Sequence, residues 1–205
     1  ADLIPDGPQW TEETAEGLAT VVGFAGDTPV TLRFNDMFPH WMVGGRAGAG
    51  RSAFLLNVLF GLATRYPPDQ LALYLLDFAD GATFGGLVPT GGDPTWLPHA
   101  RAIGIDADRE YGLAVLRELD AEMTRRSVAY KKAGVTRFVD LRAIEAERAS
   151  TGEGNSPLPR ILCVIDEFQV LLAGTDRIAA EAVALLESVA RKGRSYGIHL
   201  ILSSQ

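Results

Sequence analysis

Apolar positions along this chain follow two rhythms, short runs of the kind that make strands and longer stretches repeating every three or four residues that make helices. Ala19-Thr20-Val21-Val22-Gly23-Phe24 and Val30-Thr31-Leu32-Arg33-Phe34 flank Gly26-Asp27 and predict a β-hairpin edging the core. His40-Trp41-Met42-Val43 predicts a third strand. Residues 53–64 carry apolar side chains almost all round, including Phe54, Leu55, Val58, Leu59, Phe60 and Leu62, as a helix buried against a sheet would, and Pro67-Pro68-Asp69 ends it. Residues 71–76 form an unbroken apolar run stopping at Asp77, the signature of a central parallel strand covered on both faces. Residues 107–132 read as an amphipathic helix with Leu116, Leu119, Met123 and Tyr130 on its apolar stripe, and residues 137–148 as another helix. Ile161-Leu162-Cys163-Val164-Ile165 is a second buried strand. A helix over 178–192 with Gly193 as its stop and a strand over 198–202 complete the pattern.

Alternating strands and helices imply an α/β fold, with a mostly parallel central sheet flanked by helices. Residues 1–17, with Gly7, Pro5 and Pro8 and no periodicity, read as an entry segment or a linker ahead of one domain over 18–205. Residues 79–99 are rich in Gly and Pro, and residues 150–157 read as a polar surface loop. The strand at 198–202 is followed at once by Ser203-Ser204-Gln205; parallel sheets of this kind continue further, so the expectation is a domain truncated at its C-terminus.

The 205 residues are 47% hydrophobic, enough for a sizeable core. No apolar run reaches the ~18 residues of a membrane span, and the start lacks a basic stretch followed by an apolar one. The expected location is the cytoplasm, as a free protein or as the soluble domain of a membrane-anchored bacterial protein. The formal net charge of −7 argues against a broad basic face for nucleic acid, although a few cations lining the channel of a ring would suffice. Cys163 sits inside an apolar strand and reads as core, and His40, His99 and His199 share no ligand spacing, which argues against zinc.

The chemistry concentrates at residues 45–52, Gly45-Arg46-Ala47-Gly48-Ala49-Gly50-Arg51-Ser52, between a strand and a helix. A phosphate-binding loop has a Gly, four residues, then Gly-Lys-Ser/Thr; every fixed position is met except that Arg51 replaces Lys. Glycines let successive N–H groups converge on a phosphate, the helix adds its positive end, Ser52 would ligate Mg²⁺, and residue 51 would reach the β and γ phosphates of ATP. A Gly-rich turn that binds nothing can match such a pattern by chance. The strand that ends in Asp166-Glu167 supplies the other half: Asp166 would hold Mg²⁺ and its water, and Glu167 would take the proton of the attacking water. Asp77 falls at a strand's carboxyl end, where it either faces the site or caps a turn. Gln205, just past the last strand, is placed to touch the γ-phosphate or the water.

These residues carry a resemblance. The series His40 to Ser52, Leu73-Tyr74-Leu75-Leu76-Asp77-Phe78, Ile165-Asp166-Glu167-Phe168, and Ala190-Arg191-Lys192-Gly193-Arg194 through Gly197-Ile198-His199-Leu200-Ile201-Leu202 to Gln205 resembles the FtsK/SpoIIIE motor domain over roughly residues 18–205. The resemblance implies a RecA-like P-loop NTPase, Mg²⁺-dependent ATP hydrolysis, a hexameric ring and translocation of double-stranded DNA. The run from Leu75 to Phe84 is similar to the EccC-type ATPases of type VII secretion, in which the cargo is a protein. The leading expectation is a DNA translocase; the alternatives are a protein-secretion motor and a weakly hydrolysing ATP-binding assembly domain. Arg51 is the departure that supports the last, because a planar fork places a γ-phosphate differently from an ammonium. An arginine acting from a neighbouring subunit is also implied. Arg191, Arg194, Arg101 and Arg109 are candidates, and the basic end of a helix accounts equally well for the first two.

Overall fold

The computed structural model describes residues 7–79, 81, 83–153 and 157–205. Five parallel strands form the central sheet, in the order β3 (His40–Gly44), β7 (Ile198–Ser204), β6 (Arg160–Asp166), β4 (Leu71–Asp77) and β5 (Ala100–Gly104). The two remaining strands, β1 (Leu18–Ala25) and β2 (Thr28–Phe34), pair antiparallel as the expected hairpin. The helices are α1 (Arg51–Arg65), α2 (Arg109–Ala133), α3 (Phe138–Ser150), the single turn α4 (Phe168–Leu171) and α5 (Arg177–Lys192).

The unbroken apolar runs have a simple cause. Side chains alternate across a strand, and both faces of β4 and β6 are covered. Leu71, Leu73 and Leu75 of β4, with Leu162 and Val164 of β6, pack towards α1 and the hairpin, against Leu55, Val58, Leu59, Leu62 and Phe34. Ala72 and Leu76, with Ile161, Cys163 and Ile165, pack the other way, against Leu116, Leu119 and Met123 of α2 and Ala182, Leu186 and Val189 of α5. Cys163 is core as expected, and burial pushes its thiol up to about 12. On α1, Gly61 lets the helix approach β1 closely; a Cβ there would lie 2.0 Å from Thr20 Oγ1. Phe60 of the same helix is exposed, so α1 is less evenly buried than its composition implied.

Three features were not marked in the sequence. Strand β5, which extends the sheet beyond β4, falls where no strand was expected. Residues 10–17 are docked: the Trp10 indole donates to the Ala63 carbonyl (2.9 Å), the Thr14 N–H to Gln70 (2.9 Å), and Arg160 donates to the carbonyls of Thr14 and Ala15. Arg126, within the amphipathic α2, is 1% exposed; it pairs with Glu122 and donates to the carbonyls of Tyr196 and Pro159, tying α2 to the starts of β6 and β7. The start of the expected linker, Asp80 and Ala82 of the Leu75 to Phe84 run, and residues 154–156 of the polar loop lie outside the described residues.

Candidate active site

Parallel strands share one carboxyl edge, and on this edge the pairing aligns Asp77 of β4 with Asp166 of β6, and Asp166 with Ser203 of β7, which in turn pairs with Val43 of β3. The loop of residues 45–52 leaves β3 at the same edge and runs into α1. Gly48 and Gly50 take positive φ, 76° and 87°, which a side chain would oppose. Gly50 caps α1 without a side-chain acceptor, so the first N–H groups of a 15-residue helix are left for an incoming group. Arg46, Ala47, Gly48, Ala49 and Gly50 are exposed, and a Cβ on Gly45 would press to 3.3 Å from the Ala49 methyl. An exposed turn rich in backbone donors suits a phosphate chain.

Arg51 is the centre of the arrangement. Its guanidinium donates to Glu167 Oε1, to Asp166 Oδ1 (3.5 Å) and to Ser203 Oγ (3.3 Å). Glu167 is the last residue before α4 and has left-handed backbone angles, φ 54° and ψ 45°, uncommon for a residue with a side chain and often found at functional positions. Its carboxylate also accepts from Gln169 (2.5 Å) and Gln205 (3.0 Å). Burial pushes the Glu167 carboxyl up, but the bonds from Gln169, Arg51 and Gln205 and the Arg51 charge outweigh it, so it lies below the ordinary glutamate value and is ionised at neutral pH. Ser52 Oγ lies 2.9 Å from Thr83 Oγ1, which donates to Asp166 Oδ2 at 2.7 Å.

The structure therefore brings Arg51, Ser52, Asp166, Glu167 and Gln205 together. Asp77 is fully buried and accepts from the N–H groups of Ala79 (2.9 Å) and Thr83 (3.0 Å), so of its two expected roles it takes the turn cap. Sequence reasoning missed Thr83, Ser203 and Gln169. Thr83 lay within the Leu75 to Phe84 run and Ser203 beside Gln205, so both stood in segments already marked, but only strand register and loop folding aim them at Asp166 and Arg51. None of the four arginines considered for action in a neighbouring subunit reaches this chain's own site. Arg191 pairs with Glu187 (3.5 Å), Arg194 donates to the Asp36 carbonyl (3.1 Å), Arg101 to the Pro68 carbonyl (3.3 Å), and Arg109 makes a two-pronged pair with Asp176 (2.7 and 2.9 Å).

Ser52 and Asp166 offer hard oxygen donors, the kind Mg²⁺ prefers, and Mg²⁺ in such sites is held by one or two protein oxygens together with substrate phosphates. Among the described residues there is no cluster of three or more His, Cys, Asp or Glu that could hold a metal ion.

A profile of the FtsK/SpoIIIE family matches residues 4–205. The chain belongs to the FtsK/SpoIIIE family. It has the ATPase-domain architecture of that family, a five-stranded parallel sheet flanked by helices. Among curated relatives, the ESX-4 secretion system protein EccC4 of Mycobacterium tuberculosis is 36% identical over 172 residues, covering 82% of this chain and 13% of that protein. ESX-5 secretion system protein EccC5 of the same organism is 33% identical over 170 residues, covering 82% of this chain and 11% of that protein. The chain thus spans a small part of the relatives it matches. The solved cytoplasmic domain of the type VII secretion ATPase EccC from Thermomonospora curvata superposes with a TM-score of 0.72 at 27% identity, over 100% of this chain and 24% of that one. The pCW3 conjugation coupling protein TcpA gives 0.68 at 24% identity, over 98% and 52%, a likeness of fold. No helix among the described residues is long and apolar enough to cross a membrane.

Proposed function

We propose that this chain is the ATP-hydrolysing module of an EccC-type protein-secretion motor, located in the cytoplasm and working as one subunit of a ring. The observation that carries the chemistry is the convergence of Arg51, Ser52, Asp166, Glu167 and Gln205 on one edge of the sheet. The backbone of residues 45–52 would cradle the phosphates, and Ser52 and Asp166 would hold Mg²⁺, which supplies neutralisation of the charge developing on the β and γ oxygens. Arg51 would exchange its carboxylate partners for those oxygens. That exchange frees Glu167 to accept the proton of the attacking water, while the Gln205 amide orients the water or the γ-phosphate. An arginine from the next subunit would complete the site.

The cargo assignment departs from the leading sequence expectation. The curated relatives named above are secretion-system proteins, and the net charge of −7 argues against a broad basic face for nucleic acid. Steady-state ATP turnover with and without duplex DNA over a salt series tests it. Turnover indifferent to DNA is expected. Stimulation that fades as salt rises would return the chain to the DNA-translocase reading, because only a phosphate-reading surface releases counterions on binding. Nucleotide binding without turnover in an assembled ring would favour the assembly-domain reading.

A further inference from the structure

The oxygen cluster beneath the phosphate loop contains one residue that no nucleotide-site pattern supplied. Thr83 lies in the loop after β4 and is 4% exposed. It is fixed from both sides: its N–H donates to the buried Asp77 carboxylate at 3.0 Å, and the next residue, Phe84, is fully buried in the core beside α1. So anchored, its hydroxyl meets Asp166 Oδ2 at 2.7 Å and Ser52 Oγ at 2.9 Å.

A hydroxyl has one proton and two lone pairs, and an ionised carboxylate can only accept. The Thr83 proton is therefore committed to Asp166, and Ser52 must be the donor to Thr83. Two consequences follow. The Ser52 lone pairs are left free for a cation. And Asp166 is gripped on both oxygens, on Oδ2 by Thr83 and on Oδ1 by the Glu167 N–H (3.1 Å) and Arg51. We propose that Thr83 is a positioning residue of the nucleotide site, which through its hydroxyl orients both Ser52 and Asp166 and thereby sets the affinity for the divalent cation that accompanies the nucleotide. The proposal rests on the nucleotide-binding reading above. Asp77, at the carboxyl end of β4, acts one step further back, as the residue that sets the height of Thr83.

The test separates metal affinity from nucleotide affinity. Binding of a fluorescent ATP analogue to the 205-residue chain is titrated with Mg²⁺ after a metal-free measurement in EDTA, for wild type, Thr83→Val and Thr83→Ser, with thermal melts alongside. Residues holding a metal's ligands typically cost 10–100-fold in metal affinity when removed, so Thr83→Val should raise the half-saturating Mg²⁺ about tenfold or more. Metal-free nucleotide affinity should stay at the wild-type level, and Thr83→Ser, which keeps the hydroxyl, should restore the Mg²⁺ dependence. A Thr83→Val curve that overlays wild type, or a Ser variant as impaired as Val, overturns the proposal. Should Val prevent folding, Thr83→Ala is read by the same criteria. Wild type that binds no nucleotide, with or without Mg²⁺, sinks the nucleotide reading and this inference with it; wild type that binds normally while Val changes nothing sinks the inference alone.

Discussion

Replacing Arg51 by Met removes the cation shared by Asp166 and Glu167 and keeps most of the side chain's volume. The Arg51, Asp166 and Glu167 side chains are 13%, 5% and 8% exposed, so the two carboxylates would be left buried and facing each other. At the 3.5 Å separation from Asp166, an effective dielectric of about 20 gives ~5 kcal/mol of gross attraction. Breaking a buried pair by deleting one partner costs about 3–5 kcal/mol, and we expect the lower end because the loop above is open to water. With a urea slope of ~2 kcal/mol per molar, the midpoint at pH 7 should fall by about 1.5 M. The pH dependence follows from Glu167. In the wild type its folded value is below the ordinary 4.5, so it contributes stability that is present above pH 4.5 and lost as the pH falls through its folded value. Losing the bond and the charge of Arg51 leaves the Glu167 carboxyl easier to protonate than in the wild type, although Gln169 and Gln205 still hold it down, so the deficit should shrink as the pH falls from 7 towards 4. Adding Glu167→Gln to Arg51→Met removes one of the stranded charges and should recover ~1–2 kcal/mol as a coupling between the two sites. A midpoint lowered by less than about 0.3 M, or a deficit equal at pH 7 and pH 4, would refute the view that Arg51 holds these carboxylates together.

Two further outcomes depend on the core. Burial and then the Arg160 charge push the His199 imidazole down to about 3 from an ordinary 6.5, and burial also lowers His40 and His99. Stability should be full above pH 6.5 and decline towards pH 3, with His199 alone contributing ~2 kcal/mol of loss by pH 5; a urea midpoint constant from pH 7 to 5 would contradict this, and His199→Gln should flatten the slope. Gly61→Ala should force α1 off β1 and cost about 2 kcal/mol in a thermal melt, recovered in part by Thr20→Ala, because the added methyl meets Thr20 Oγ1.

How much of this was legible in the sequence depended on whether a residue's surroundings are local. Strands β4 and β6 announced themselves because covering on both faces demands unbroken apolar runs. Strand β5, Ala100-Arg101-Ala102-Ile103-Gly104, did not, because an edge strand with one partner tolerates small and charged residues. The phosphate loop and the Asp166-Glu167 pair were readable as contiguous patterns. Thr83 and Ser203 were not, since the first depends on a turn capped by Asp77 and the second on the register between β6 and β7. The docking of residues 10–17 rests on Ala63, Gln70 and Arg160, all more than 50 residues away in sequence, so no local pattern marks it.

The central claim is that this edge of the sheet hydrolyses ATP with Glu167 as the base. Phosphate release from Mg²⁺-ATP by wild type and Glu167→Gln, with analogue binding measured on both, tests it most directly. The account predicts that the variant keeps its nucleotide affinity while turnover drops by about 10²-fold or more, the usual contribution of a general base. Equal turnover in the two proteins, or a wild type that binds no ATP, would contradict it.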